Sequence, residues 1–237
     1  MLKADGSSKR FYKSAGVTES EQNCPRTGAL QKAWVLTLDD RGVRTPSNKQ
    51  MVLPCKNLAM AIALEFDVQD LNILPYTMPL TTLATTAIDQ LSRAEVRKSA
   101  VTTMVKQLST DLITLRSTEP DDLVEKEQSL WGPICAWASA NYGCEVVTSS
   151  EWLSMEQNPL LLKAVAADLE SRSDWTIAAI DQVGALAAAR AVEQYQIDRW
   201  GKVEACGMGG HDIDEADMRS RIAAALLFHR LLPQSHI

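Results

Sequence analysis

The feature that most restricts the fold of this chain is a change of hydrophobic period about a quarter of the way along it. Before residue 56 the apolar residues come in short β-branched runs broken by turn residues. After it they recur at helical spacing. Trp34-Val35-Leu36-Thr37-Leu38 reads as a strand, and Asp39-Asp40-Arg41-Gly42 as a hairpin turn with Gly42 free to take a positive φ. Val43-Arg44-Thr45 is the expected return strand, stopped by Pro46, and Met51-Val52-Leu53 a third strand ended by Pro54. The polar stretch Gly16–Gly28, with Pro25 inside it, reads as a loop.

From Asn57 onward the pattern is helical. Leu58, Ala61, Ile62 and Phe66 fall at i, i+3, i+4 and i+8. Ile73-Leu74-Pro75-Tyr76 breaks the pattern, and Pro79 suits the first turn of a new helix through Leu83 and Ile88. Further helices are expected over residues 93–109 and from about 118 to Gly143. The second of these carries Leu123, Leu130, Trp131, Ile134 and Ala138 on one stripe. Thr148 with Glu151 and Asp212 with Glu215 have capping-box spacing. The Ala-rich stretch 174–200 suggests a central buried helix, and the last helix spans about 213–232, stopped by Pro233. The expected fold is α+β: a small β-rich N-terminal domain with one helix (1–74), then a larger α-helical domain (75–237).

Charge is uneven along the chain. Residues 1–50 carry nine basic and five acidic side chains, whereas residues 111–237 carry ten basic and twenty acidic ones. An acidic C-terminal half argues against nucleic-acid binding, which needs a basic face. It suits a solvated helical surface or a basic protein partner. No apolar run of about 18 residues is present, so no membrane insertion is expected. The basic opening residues lack an apolar core for a secretory signal and are too short for a clear transit peptide. The five scattered cysteines form no CxxC pair and are expected to stay unpaired. With net negative charge, and without a heptad seam or an exposed apolar helix stripe, the chain is expected to be a monomer.

Signatures of catalytic chemistry are few. There is no GxxxxGK[ST] loop and no GxSxG elbow. Asp214-Glu215-Ala216-Asp217 spells a helicase tetrapeptide, but without a phosphate loop it has no nucleotide to serve. Asp212, Asp214 and Asp217 fail as a calcium loop because the fifth, sixth and twelfth positions are Ala216, Asp217 and Ala223. Acidic groups there suit a helix N-terminus instead. Cys206 and His211 are too few for a structural zinc, which takes four ligands. No cofactor and no metal are expected. Two alternatives stay open: an enzyme using the C-terminal carboxylates as a metal site, and an adaptor for another protein.

Several strings, in order, resemble the assembly-factor family that chaperones the α subunit of the mitochondrial ATP synthase. They are Arg10-Phe11-Tyr12-Lys13, then LTLDDRGVRTPSNKQMVLP (Leu36 to Pro54), LAMAIALEFD (Leu58 to Asp67) and MPLTTLATTAID (Met78 to Asp89). Thr110-Asp111-Leu112 and the stretch Gln128–Pro133 follow, then IDRWGKVE (Ile197 to Glu204) and HDIDEADMR (His211 to Arg219). Two departures stand out. Phe66 replaces a usual Trp, and Cys206–Gly210 lengthens a loop. The resemblance implies a two-part fold, a mitochondrial matrix location, and a non-enzymatic role. In that role the chain binds the unassembled ATP synthase α subunit until the β subunit replaces it, with no cofactor or turnover. It points to Trp200, Glu204, Asp212, Asp214, Glu215 and Asp217 as client-binding candidates, a charged rim around an aromatic anchor. The same residues read equally well as a core Trp with helix-capping acids.

Overall fold

The computed structural model describes residues 8–23, 28, 30–109, 111–151, 156–183 and 211–234, with the backbone alone at 112, 211–216 and 218. The N-terminal region is rich in strands: β1 (Ser8–Lys9), β2 (Ala15–Asn23), β3 (Leu30–Leu38), β4 (Arg41–Gly42), β5 (Val52–Leu53) and β6 (Asn72–Ile73). Helices dominate the rest, so the chain is α+β. They are α1 (Lys56–Asp67), which precedes β6, then α2 (Pro79–Thr85), α3 (Ala94–Leu108), α4 (Asp121–Tyr142) and α5 (Pro159–Ser171). After these come α6, described over 174–183, and α7 (His211–Leu231).

All strand pairs are antiparallel. β3 is central, with β2 on one side and β4 and β5 on the other, while β1 pairs with β6 as a separate ribbon. Val35 and Leu36 are adjacent yet both buried, so β3 is covered on both faces. β2 corrects the loop expected over Gly16–Gly28. Its nine residues pair in register from Ala15 with Leu38 to Asn23 with Leu30. It was hidden because an edge strand with a wet side needs no apolar run; its ladder comes from the partner's backbone.

The β3–β4 turn also differs from expectation. The positive φ falls at Asp39 (46°) and Asp40 (63°), the two-residue hairpin geometry that matches strand twist, while Gly42 pairs with Thr37 inside β4. Asp enters this region more readily than most residues other than Gly. Asp39 accepts N–H groups from Lys13 (3.0 and 3.1 Å) and Ser14 (3.0 Å).

α1 buries Leu58, Ala59, Ile62, Ala63 and Phe66, as its spacing requires. α2 starts at Pro79 and runs into a wide π-helical turn over Thr86–Leu91 that carries Asp89 inward. α4 ends at Gly143 in the left-handed region (φ 64°), as expected. Its expected apolar stripe is a correction: the buried residues are Glu127 and Cys135, while Leu130 and Ile134 face water. Glu127 is kept inside by donors from Ser117 N and Oγ, both at 2.8 Å. No helix starts at Thr148. Glu151 N–H turns back to Ser149 Oγ at 3.0 Å, and α5 begins after Asn158, whose side chain accepts Leu160 N–H ahead of Pro159. α6 buries Ile177, Ala178 and Ala179; residues 184–200 of the expected long helix lie outside the described residues. In α7, Ala224, Ala225 and Phe228 are buried, with Phe228 stacked on Trp175 at 6.0 Å.

Two compact units emerge. Of the described residues, the first gathers those up to 97 with 173–183 and 211–234, and the second those of 98–172. Among the described residues Cys55, Cys135 and Cys144 are free thiols, and no helix is long and apolar enough to cross a membrane.

Candidate functional site

Trp200 and Glu204 lie outside the described residues. Asp212, Asp214 and Glu215 fall in the opening turns of α7, where the backbone alone is described. Asp217 is exposed, and its Oδ2 pairs with Arg221 Nε one turn on at 2.9 Å. A surface pair of this kind contributes little to stability, about 0.3–0.5 kcal/mol. The structure therefore brings four of the six candidates onto one helix.

The strings that precede them have structural work that can be followed atom by atom. Arg10 donates through Nε to Tyr12 O (3.1 Å) and through Nη2 to Lys13 O (2.8 Å). Its Nη1 donates to Asp67 O (3.1 Å) and Gln69 O at the end of α1. Its guanidinium lies 4.6 Å over the Tyr12 ring. Tyr12 donates its hydroxyl to Phe66 O at 2.8 Å and meets the Phe66 ring edge to face. Burial pushes the Tyr12 phenol above its usual range. Arg10 and Tyr12 thus latch the N-terminal segment onto the end of α1, and Phe66 fills the place with a ring that needs no N–H partner.

A second latch joins the hairpin exit to the π turn. Asp89 accepts Thr45 Oγ1–H at 2.6 Å and Ser47 N–H at 3.0 Å, while Lys49 Nζ donates to Ile88 O and Ser92 Oγ. Burial acts to raise the Asp89 carboxyl, but the hydrogen bonds from Thr45 and Ser47 outweigh it and hold it below the usual carboxylate range. Glu65 on α1 receives Leu80 N–H, Thr81 N–H and Thr81 Oγ–H at the start of α2. There burial prevails, and the Glu65 carboxyl stands above its usual value.

Two apolar stripes face water instead of the core. Along α1 and its C-cap, Met60, Leu64 and Val68 are 55%, 62% and 67% exposed at i, i+4 and i+8. On α4, Leu130, Ile134 and Trp137 are 57%, 46% and 62% exposed. These overturn the premise that no helix shows an exposed apolar stripe. The signal was present in α1, which is apolar on both faces, the mark of a helix covered on both. Among the described residues no group of three or more His, Cys, Asp or Glu could hold a metal ion.

A family model for the ATP12 chaperone protein matches residues 9–139, more than half of the chain. The crystal structure of Atp12 from Paracoccus denitrificans is similar at 25% identity and a TM-score of 0.75, covering 95% of this chain and 98% of that one. A single-residue mutant of the same Paracoccus protein gives 25% identity, a TM-score of 0.73, and coverage of 94% and 96%. Atu1473 from Agrobacterium tumefaciens shares the fold at 23% identity, with a TM-score of 0.79 over 96% of this chain and 87% of that one.

Proposed function

The chain belongs to the ATP12 chaperone family of ATP synthase assembly factors, and from that premise we propose that its client is the unassembled α subunit of the ATP synthase head. The family match over residues 9–139 carries this reading. A ring subunit exposes, before assembly, the apolar face it will later bury. A chaperone that covers this face less tightly than the proper neighbour keeps the subunit soluble and then yields to it, here to the β subunit. Such binding is reversible, which favours a modest interface with charged edges over a large apolar one.

The exposed stripes on α1 and α4 have the apolar character this work needs. Trp200, Glu204, Asp212, Asp214, Glu215 and Asp217 would form the anchor and acidic rim. No cofactor and no turnover enter the scheme. We place the work in the mitochondrial matrix by resemblance; the similar Atp12 from Paracoccus denitrificans extends the family to a bacterium.

Co-expression with the α subunit tests the client. The α subunit is expected to stay soluble and to co-purify with the chain, and equal aggregation with and without the chain would sink the reading. Glu204→Lys tests the rim. A rim position makes Glu204 a surface carboxylate, and such a group outside a cap shifts stability by about 0.5 kcal/mol or less; on that reading the variant melts like the parent yet holds the α subunit poorly.

A further inference from the structure

Phe11 stands apart from the residues around it. Arg10 and Tyr12 are both committed to the end of α1, yet the Phe11 ring between them is 76% exposed. It is nevertheless oriented, set edge to face against Tyr12 with centroids 5.4 Å apart and planes at 84°. A large ring held in place but left in water is the kind of side chain that anchors a partner, because little entropy remains to be lost on binding.

Beside it lies an open groove of about 510 Å³ between the Phe11 segment and the β3–β4 hairpin. Tyr12, Leu38 and Val43 give it an apolar lining, and Arg41 and Arg44 stand along it. The Arg41 guanidinium has no hydrogen bond or ion pair among the described residues. Arg44 engages one nitrogen, Nη1, with Asn48 O at 2.9 Å and Asn48 Oδ1 at 3.4 Å. The carboxylate of Asp39, also in the groove, is turned onto the N–H groups of Lys13 and Ser14. Among the residues lining the groove Arg41 and Arg44 outnumber Asp39, in a chain whose net charge is −6.

We propose that this groove docks an extended acidic segment of the client, with an apolar side chain of the segment on Phe11 and its carboxylates on Arg41 and Arg44. Arginine forks recognise carboxylates bidentately, and aromatic residues with Arg dominate interface anchors. The negative charge of the whole chain disfavours a nucleic acid in the same place. The proposal rests on the client reading above, in that the segment is taken to belong to the α subunit.

The test uses the full chain and a fluorescein-labelled peptide of Glu-Leu repeats, followed by fluorescence anisotropy. A Lys-Leu repeat peptide and oligouridylate serve as comparators. The parent is expected to prefer the Glu-Leu peptide, with affinity falling as salt rises. Arg41→Glu with Arg44→Glu should weaken that binding by about tenfold or more and take up the Lys-Leu peptide instead. Phe11→Ala should weaken it by about tenfold. All three side chains are exposed, so melting temperatures should stay at the parent's value, and both variants should protect the α subunit poorly. Unchanged Glu-Leu binding by the charge-reversed variant, or tighter binding of oligouridylate or the Lys-Leu peptide by the parent, overturns the proposal. If the parent binds the acidic peptide but does not protect the α subunit, the client assignment fails while the chemistry of the groove stands. If parent and variants protect the α subunit equally, the groove fails and the client assignment stands.

Discussion

The carboxylate of Asp89 sits where its charge ought to be costly, with only 8% of the residue exposed. Two donors, Thr45 Oγ1–H and Ser47 N–H, make that position favourable enough to hold its pKa below the usual range. An unfolded Asp titrates near about 3.9. The folded value is lower, so the unfolded chain binds this proton more readily. Asp89 therefore adds stability above about pH 4, and the addition fades as the pH falls through the folded value. Asp89→Ala is expected to cost about 2 kcal/mol at neutral pH, because it strands two donors. The loss stays moderate because the groove beside Asp89, lined by Ser47, Lys49, Gln90 and Arg93, can admit water. Urea denaturation of parent and variant should show a gap that narrows below about pH 4; a gap independent of pH would refute this account. Glu65 works in the opposite sense: its raised value makes its contribution largest in acid and lost as the pH rises through it. The strings holding Thr45 and Asp89 were both noticeable in the sequence. Their partnership was not, because the two residues are 44 positions apart and a single sequence carries no pairing information.

Among the elements, the hairpin was legible and its turn was not. The run Trp34–Leu38 announces β3, but the left-handed positions fell on two aspartates instead of the nearby glycine. Asp39 has its bonds to Lys13 and Ser14 to offset the strain, whereas Asp40 is exposed and accepts no hydrogen bond among the described residues. Asp40→Gly should therefore stabilise the chain by about 0.5–1 kcal/mol, since Asp-Gly is a preferred pair for this turn. A lower melting temperature would contradict it. α1 and α4 show the limit of period alone. Both carry apolar residues at helical spacing, but spacing does not say which of two apolar faces is covered. In α1 the covered face holds Ile62 and the open one Leu64. Leu64→Glu should cost about 0.5 kcal/mol or less, as exposed substitutions do. Ile62→Glu, two residues earlier, buries an unpaired carboxylate and should cost several kcal/mol, on the order of 4 or more. Chemical denaturation of the pair reads this directly, and equal losses would mean that the Leu64 face is covered.

At the scale of the whole molecule, the α+β class follows from the change of period near residue 56. The return of residues 173–183 and 211–234 to the unit that holds the described residues up to 97 does not. Contacts of that range depend on which faces meet in space. The sequence shows that the α7 segment is helical but is silent on what it covers. Oligomeric state is poised between two opposing terms. The stripes of Met60, Leu64 and Val68 and of Leu130, Ile134 and Trp137 offer apolar area to a second copy. The net charge of −6, concentrated after residue 110, sets like-charged surfaces against each other. Each stripe presents three side chains, a small part of the roughly 800 Å² per partner that a stable interface buries. Repulsion is therefore expected to prevail, and the free chain to sediment as a monomer at low and moderate ionic strength. Raising salt screens the repulsion over a Debye length of about 10 Å at 0.1 M and leaves the apolar term in place. Any self-association should thus grow with salt and be reduced by Leu64→Glu or Trp137→Ser. A sedimentation mass of twice the chain at low salt, unchanged on dilution, would show instead that one of these faces is built for a second copy.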